Sequence, residues 1–114
     1  MKKIISYGPT ILSDNIRLAD NLWTRLVGLM FQSIPREYDG LLIDPCRSIH
    51  TFFMRYSLDV VFISKDGKII KIIRDLKPWR MTWIYFKADQ VLELPAGKLP
   101  LALSEGQLLE VKSV

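Results

Sequence analysis

Val60-Val61-Phe62-Ile63-Ser64-Lys65-Asp66-Gly67-Lys68-Ile69-Ile70-Lys71-Ile72-Ile73-Arg74 is the stretch whose reading decides the fold class. Two runs of β-branched and aromatic residues flank Asp66-Gly67, a dipeptide suited to a type I′ turn, so the stretch reads as an antiparallel hairpin. Spacing alone would let Ile69 to Ile73 form a helix. Four isoleucines directly after Asp-Gly favour a strand instead, because branching at Cβ packs well on a pleated surface.

Strand signals continue on both sides. Upstream, Ile49 to Met54 is rich in aromatic and β-branched residues and predicts a third strand, and Gly40 to Ile43 reads as a buried strand stopped by Asp44-Pro45. Ile4 to Tyr7 and Ile16 to Ala19 form a candidate opening hairpin, with turn signals at Gly8-Pro9 and Ser13-Asp14-Asn15. Downstream, Pro78 ends the hairpin and Trp79 to Phe86 reads as half strand, half surface loop. Val91 to Leu94 looks like a central strand stopped by Pro95 and Gly97, and Leu108 to Val111 follows the turn Ser104-Glu105-Gly106. One short helix is expected near residues 21–30, where Asp20 can cap a stripe that includes Leu22, Trp23, Leu26 and Met30 at helical spacing. Trp23 and Met30 are read as core. The expectation is therefore a mainly β single domain over residues 1–114, of β-sandwich or jelly-roll-like type or a distorted barrel, with the helix covering one end.

Composition sets the outer limits. A chain of 114 residues has room for one useful core, and 49% hydrophobic with 25% charged residues excludes disordered, collagen-like and coiled-coil chains. No apolar run reaches the roughly 20 residues of a transmembrane segment. The formal net charge is +4, and nine Lys and Arg fall between Arg47 and Lys87 against Asp59, Asp66 and Asp75. Such a field suits an anionic partner, although lysines on turns also keep strand edges soluble, which is the commoner role. Cys46 is the only cysteine, so no intramolecular disulfide can form and a reducing, cytoplasmic location fits. Met1-Lys2-Lys3 begins like a signal peptide, but Tyr7, Gly8 and Pro9 interrupt the apolar stretch.

Chemistry-bearing residues concentrate from Cys46 to Asp59, a segment with the only Cys and the only His. In an extended chain Cys46, His50 and Met54 share one face. His50 could hold Cys46, a possible reactive thiol, as a thiolate with help from Arg47 or Arg55, but a buried structural Cys and a hydrogen-bonded His explain both residues more simply. Zinc would need Asp44 or Asp59 as further ligands, and no metal or other cofactor is assigned. Arg55 and Asp59 can pair across a short connection and pin a turn, or Asp59 can orient Arg55 toward a carboxylate or phosphate. That anion site would lie beside His50, with walls from Phe52, Phe53, Trp79 and Trp83. Glu93 interrupts a hydrophobic strand and, if buried, needs a partner such as Arg55 or Arg80. Trp79, Trp83, Tyr85 and Phe86, interleaved with Arg80 and Lys87, could stack bases, yet no recognised nucleic-acid motif accompanies them.

Gly28-Leu29-Met30-Phe31, Gly40-Leu41-Leu42, Cys46-x-x-Ile49-His50-Thr51-x-x-Met54-Arg55-x-x-Leu58-Asp59-Val60-Val61-Phe62, Leu76-Lys77-Pro78-Trp79-Arg80 and Val91-Leu92-Glu93-Leu94-Pro95-Ala96-Gly97 occur in order along most of the chain. Together they resemble the domain-of-unknown-function family 192 of bacteria and archaea. The resemblance implies a small, mostly β domain of sandwich or jelly-roll type, and it implies no agreed activity, cofactor or catalytic residue. The functional expectation is a small binding module for an anionic small molecule or a protein partner, with His50, Arg55, Asp59, Trp79, Arg80 and Glu93 as candidate ligand-binding residues. A Cys/His-dependent or metal-dependent enzyme is the alternative, and single-stranded nucleic-acid binding stands behind both.

Overall fold

The computed structural model describes residues 2–19, 34, 37–52 and 54–113. Seven strands follow in chain order: β1 (Lys2–Tyr7), β2 (Thr10–Ala19), β3 (Gly40–Ile43), β4 (Leu58–Ile63), β5 (Ile69–Leu76), β6 (Gln90–Pro95) and β7 (Glu110–Ser113). They form one sheet in the order β5-β4-β6-β3-β2-β1-β7. Beyond the edge strands, an isolated bridge joins Lys68 to Leu108, and Leu109 N–H donates to the Gly67 carbonyl at 2.8 Å. The sheet therefore curls until its two ends meet, and the protein is mainly β, with opposite walls of one curled sheet facing each other across a core.

Both faces of the central strands are covered. All six residues of β4 are buried, because alternate side chains enter different cores. Val61 and Ile63 join Ile5, Ile16, Leu42 and Leu92 in one cluster, while Val60 and Phe62 join Leu41, Ile43, Ile49 and Met54 in the other. Burying side chains of this size stabilises by about 1.5–3 kcal/mol each. Two-sided burial also explains why β3, β4 and β6 read as apolar runs rather than as alternation, broken only by Asp59 in β4 and by Gln90 and Glu93 in β6.

The structure departs from the sequence expectations in three places. Lys65, Asp66 and Gly67 form a three-residue hairpin loop: Gly67 N–H donates to the Ser64 carbonyl at 3.0 Å and Ser64 N–H to the Lys68 carbonyl at 2.9 Å. Gly67 has φ +91°, whereas Asp66 lacks the positive φ that a type I′ turn requires. Ser13-Asp14-Asn15 does not end a strand. Ser13 Oγ accepts from Asn15 N–H at 3.0 Å and donates to the Asp39 carboxylate at 2.7 Å, so β2 runs through a local irregularity. Of the expected strand Ile49 to Met54, the described residues 49–52 and 54 belong to no strand and pair only through a bridge from His50 to Met81, because the backbone groups of Ile49 and Thr51 bond to the loop after β5. Besides these departures, β2 pairs with β3 in parallel, an arrangement that demands a crossover connection. That connection includes residues 21–30 of the expected helix, which lie outside the described residues.

Candidate functional site

The segments 46–52 and 77–85 are laced together over one face of the sheet. Thr51 N–H donates to the Arg80 carbonyl at 2.7 Å, Trp79 N–H to the Thr51 carbonyl at 2.9 Å, Thr82 N–H to the Ile49 carbonyl at 2.9 Å and Tyr85 N–H to the Arg47 carbonyl at 2.9 Å. The Thr51 side chain is fully buried at the centre of this lacing. Its Oγ1 donates to the Lys77 carbonyl at 2.6 Å and accepts from Arg80 N–H at 2.9 Å. Sequence reasoning passed over Thr51. A hydroxyl within a run of aromatic residues was the available signal, since a buried hydroxyl needs partners.

This lacing positions an aromatic row. The His50 and Phe52 rings stack with centroids 4.8 Å apart, and Phe52 stacks on Trp79 at 6.0 Å. His50 Nδ1 accepts a hydrogen bond from Phe52 N–H at 3.3 Å. The neutral imidazole therefore carries its proton on Nε2, which is left as a donor. Trp79 adopts φ +62°, a left-handed conformation that is unusual for a bulky residue and is held by the bonds of its neighbours to Thr51. The Arg80 side chain is exposed and enters no salt bridge among the described residues. His50, Trp79 and Arg80 are thus brought onto one pair of loops.

The other expected site residues are placed elsewhere. Asp59 is 2% exposed and does not pair with Arg55. Its Oδ1 accepts from Asp75 N–H at 3.0 Å, and its Oδ2 accepts from Gly97 N–H at 2.9 Å and Leu99 N–H at 3.1 Å. The carboxylate ties the end of β5 to the turn after β6, which corrects the expected Arg55–Asp59 turn pair. Arg55 is exposed on the connection before β4. Glu93 is 2% exposed, with Leu41 and Val60 as cross-strand neighbours, and its Oε1 has no hydrogen-bond partner among the described residues. Neither arginine reaches it, because both direct their charge to solvent. Burial pushes the Glu93 carboxyl up to about 7. Cys46 Sγ donates to the Ser48 carbonyl at 3.0 Å while His50 Nδ1 serves Phe52, so each has its own local work. Phe53, expected as a wall, lies outside the described residues.

Among the described residues no three His, Cys, Asp or Glu side chains gather as a metal site. A cavity of about 380 Å³ shares no residue with the aromatic row; Lys3 and Lys65 line it together with Asp44, Asp66 and Glu110. Three carboxylates against two ammonium groups give that cavity no preference for anions. Among the described residues no helix is long and apolar enough to cross a membrane.

A curled-sheet β domain that displays an aromatic and basic loop is the class these features define. The chain belongs to the DUF192 family, described as uncharacterized ACR, whose sequence pattern matches residues 5–111. It is 37% identical over 87 residues to a UPF0127 protein of Pyrococcus horikoshii, covering 72% of this chain and 73% of that protein. With a UPF0127 protein of Pyrococcus furiosus it shares 34% identity over 101 residues, covering 83% of this chain and 84% of that one. A crystal structure of a protein of unknown function from Novosphingobium aromaticivorans superposes with TM-score 0.74 at 19% identity, covering 96% of this chain and 84% of the other, which shows the shared fold. The family resemblance read from the sequence is thereby borne out.

Proposed function

We propose that this protein is a binding module for an anionic small molecule or partner, held where the His50, Phe52 and Trp79 rings stack beside Arg80. The observation that carries the reading is the fixed aromatic row next to a guanidinium with no salt bridge among the described residues. A guanidinium presents a planar fork of donors to carboxylate or phosphate, the imidazole Nε2–H adds a directional donor, and the indole supplies an apolar wall. Residues 1–114 act as one domain in this reading, and a single cysteine, which cannot form an intramolecular disulfide, fits a reducing compartment such as the cytoplasm.

His50 is the only histidine, so its ring signals report on the site without overlap. Titration with inorganic phosphate, citrate and a sugar phosphate, followed by nuclear magnetic resonance, is expected to move those signals with at least one of them. The response is expected to weaken in Arg80→Ala. Folded Arg80→Ala and His50→Ala proteins that keep full affinity for every anion bound would overturn the reading.

A further inference from the structure

We propose that the loop Trp79–Phe86 docks this protein on an anionic phospholipid surface, its apolar side chains entering the interface while Arg80 and Lys87 meet headgroup phosphates. This rests on the preceding reading, and it names the carrier of the anion.

Five large apolar side chains stand in solvent within eight residues: Trp83 is 83% exposed, Phe86 78%, Met81 71%, Trp79 57% and Ile84 55%. Single exposed apolar residues are ordinary, but five gathered in one loop of eight residues mark an interaction surface. No carboxylate occurs in sequence between Asp75 and Asp89, whereas Lys77, Arg80 and Lys87 do. Tryptophan and phenylalanine beside Lys and Arg are the side chains that settle at a membrane interface. The loop backbone is also prepared for that medium. Thr82 and Tyr85 N–H groups and the Arg80 carbonyl are already bonded to segment 47–51, so fewer bare peptide groups would enter the interface. Tyr85 packs on Phe62 with centroids 4.5 Å apart and anchors the loop to the sheet.

Charge and shape favour lipid over the other occupants. Two copies meeting through this patch about a twofold axis would gather both copies' Arg80 and Lys87 charges in one interface with no carboxylate of the loop to offset them, which association disfavours. A base-stacking surface uses ring faces, and Met81 and Ile84 offer none.

The test is co-sedimentation with phosphatidylcholine vesicles and with mixed phosphatidylcholine–phosphatidylglycerol vesicles. Tryptophan quenching by bromine on the lipid chains provides a reading that needs no variant. Binding is expected only to the anionic mixture, with a blue shift and quenching of tryptophan emission. Each basic residue near the surface contributes about fivefold, so Arg80→Glu with Lys87→Glu should lose well over tenfold in partitioning. Ile84→Ser with Phe86→Ser should abolish quenching while His50 still responds to inorganic phosphate. Failure to bind the anionic vesicles, or equal binding to both, overturns the proposal. A surviving phosphate response of His50 would then leave the small-anion site standing alone, and its loss would remove both. Retention on a single-stranded oligonucleotide without vesicle binding, or dimerisation that buries Trp83, overturns it as well.

Discussion

Glu93 and Thr51 show how far single side chains control this site. A carboxyl of ordinary pKa 4.5 is held near 7 in the fold because ionisation would leave a charge buried between Leu41 and Val60. Its folded pKa is raised, so the native state binds more protons than the unfolded chain across that window. Stability is therefore fully present below about 4.5 and falls as pH rises through about 7. Glu93→Gln, which keeps shape and cannot ionise, is expected to gain on the order of 3 kcal/mol at about pH 8 and almost nothing at about pH 4, read from urea midpoints. Thr51→Val keeps the volume but strands the Arg80 N–H and the Lys77 carbonyl. A cost of about 1–3 kcal/mol is expected, with weakened anion response at His50, measured by urea unfolding and the same resonance titration.

At the scale of elements, Gly67 decides whether the two ends of the sheet can meet. A Cβ there would collide with the Leu109 carbonyl, and its φ of +91° strains any side chain. Gly67→Ala is expected to lower stability by roughly 2 kcal/mol or more and to loosen β7 before the rest, seen as faster amide exchange at Val111 and Leu109. The strands β3, β4 and β6 were legible because burial on both faces leaves an apolar run that no helix of that length would need. Ile49 to Met54 misled, since its composition is that of a strand while Ile49 and Thr51 bond to a loop far along the chain, as where Arg80 N–H donates to Thr51 Oγ1 across a separation of 29. The candidate site was legible in part. His50, Trp79 and Arg80 announce themselves by residue type, whereas the roles of Asp59 and Glu93 depend on strand neighbours that only the fold supplies. The segment 96–99 offers Asp59 two amides and the end of β5 a third, and nothing local to Asp59 foretells this.

For the whole molecule, two-sided coverage makes the middle of the sheet its most durable part. Amides of Val60 to Phe62 and of Val91 and Leu92 are expected to exchange only through global unfolding, while those of the loop 100–107 exchange through local opening, a contrast that native-state hydrogen exchange measures directly. The basic charge of the chain is not spread evenly either, so added salt should weaken any anion binding more than it changes stability.

The strand β1 bonds to β2 on one side and to β7 on the other, and Lys3 Nζ donates to Ser113 Oγ across 110 positions of chain. Synthesis makes β1 before the other six strands of the sheet, yet its second neighbour, β7, is the last of them to emerge. The nascent chain must therefore carry an open strand edge until translation has passed β7, and closure of the sheet is a late, slow event set by chain order rather than by local propensity.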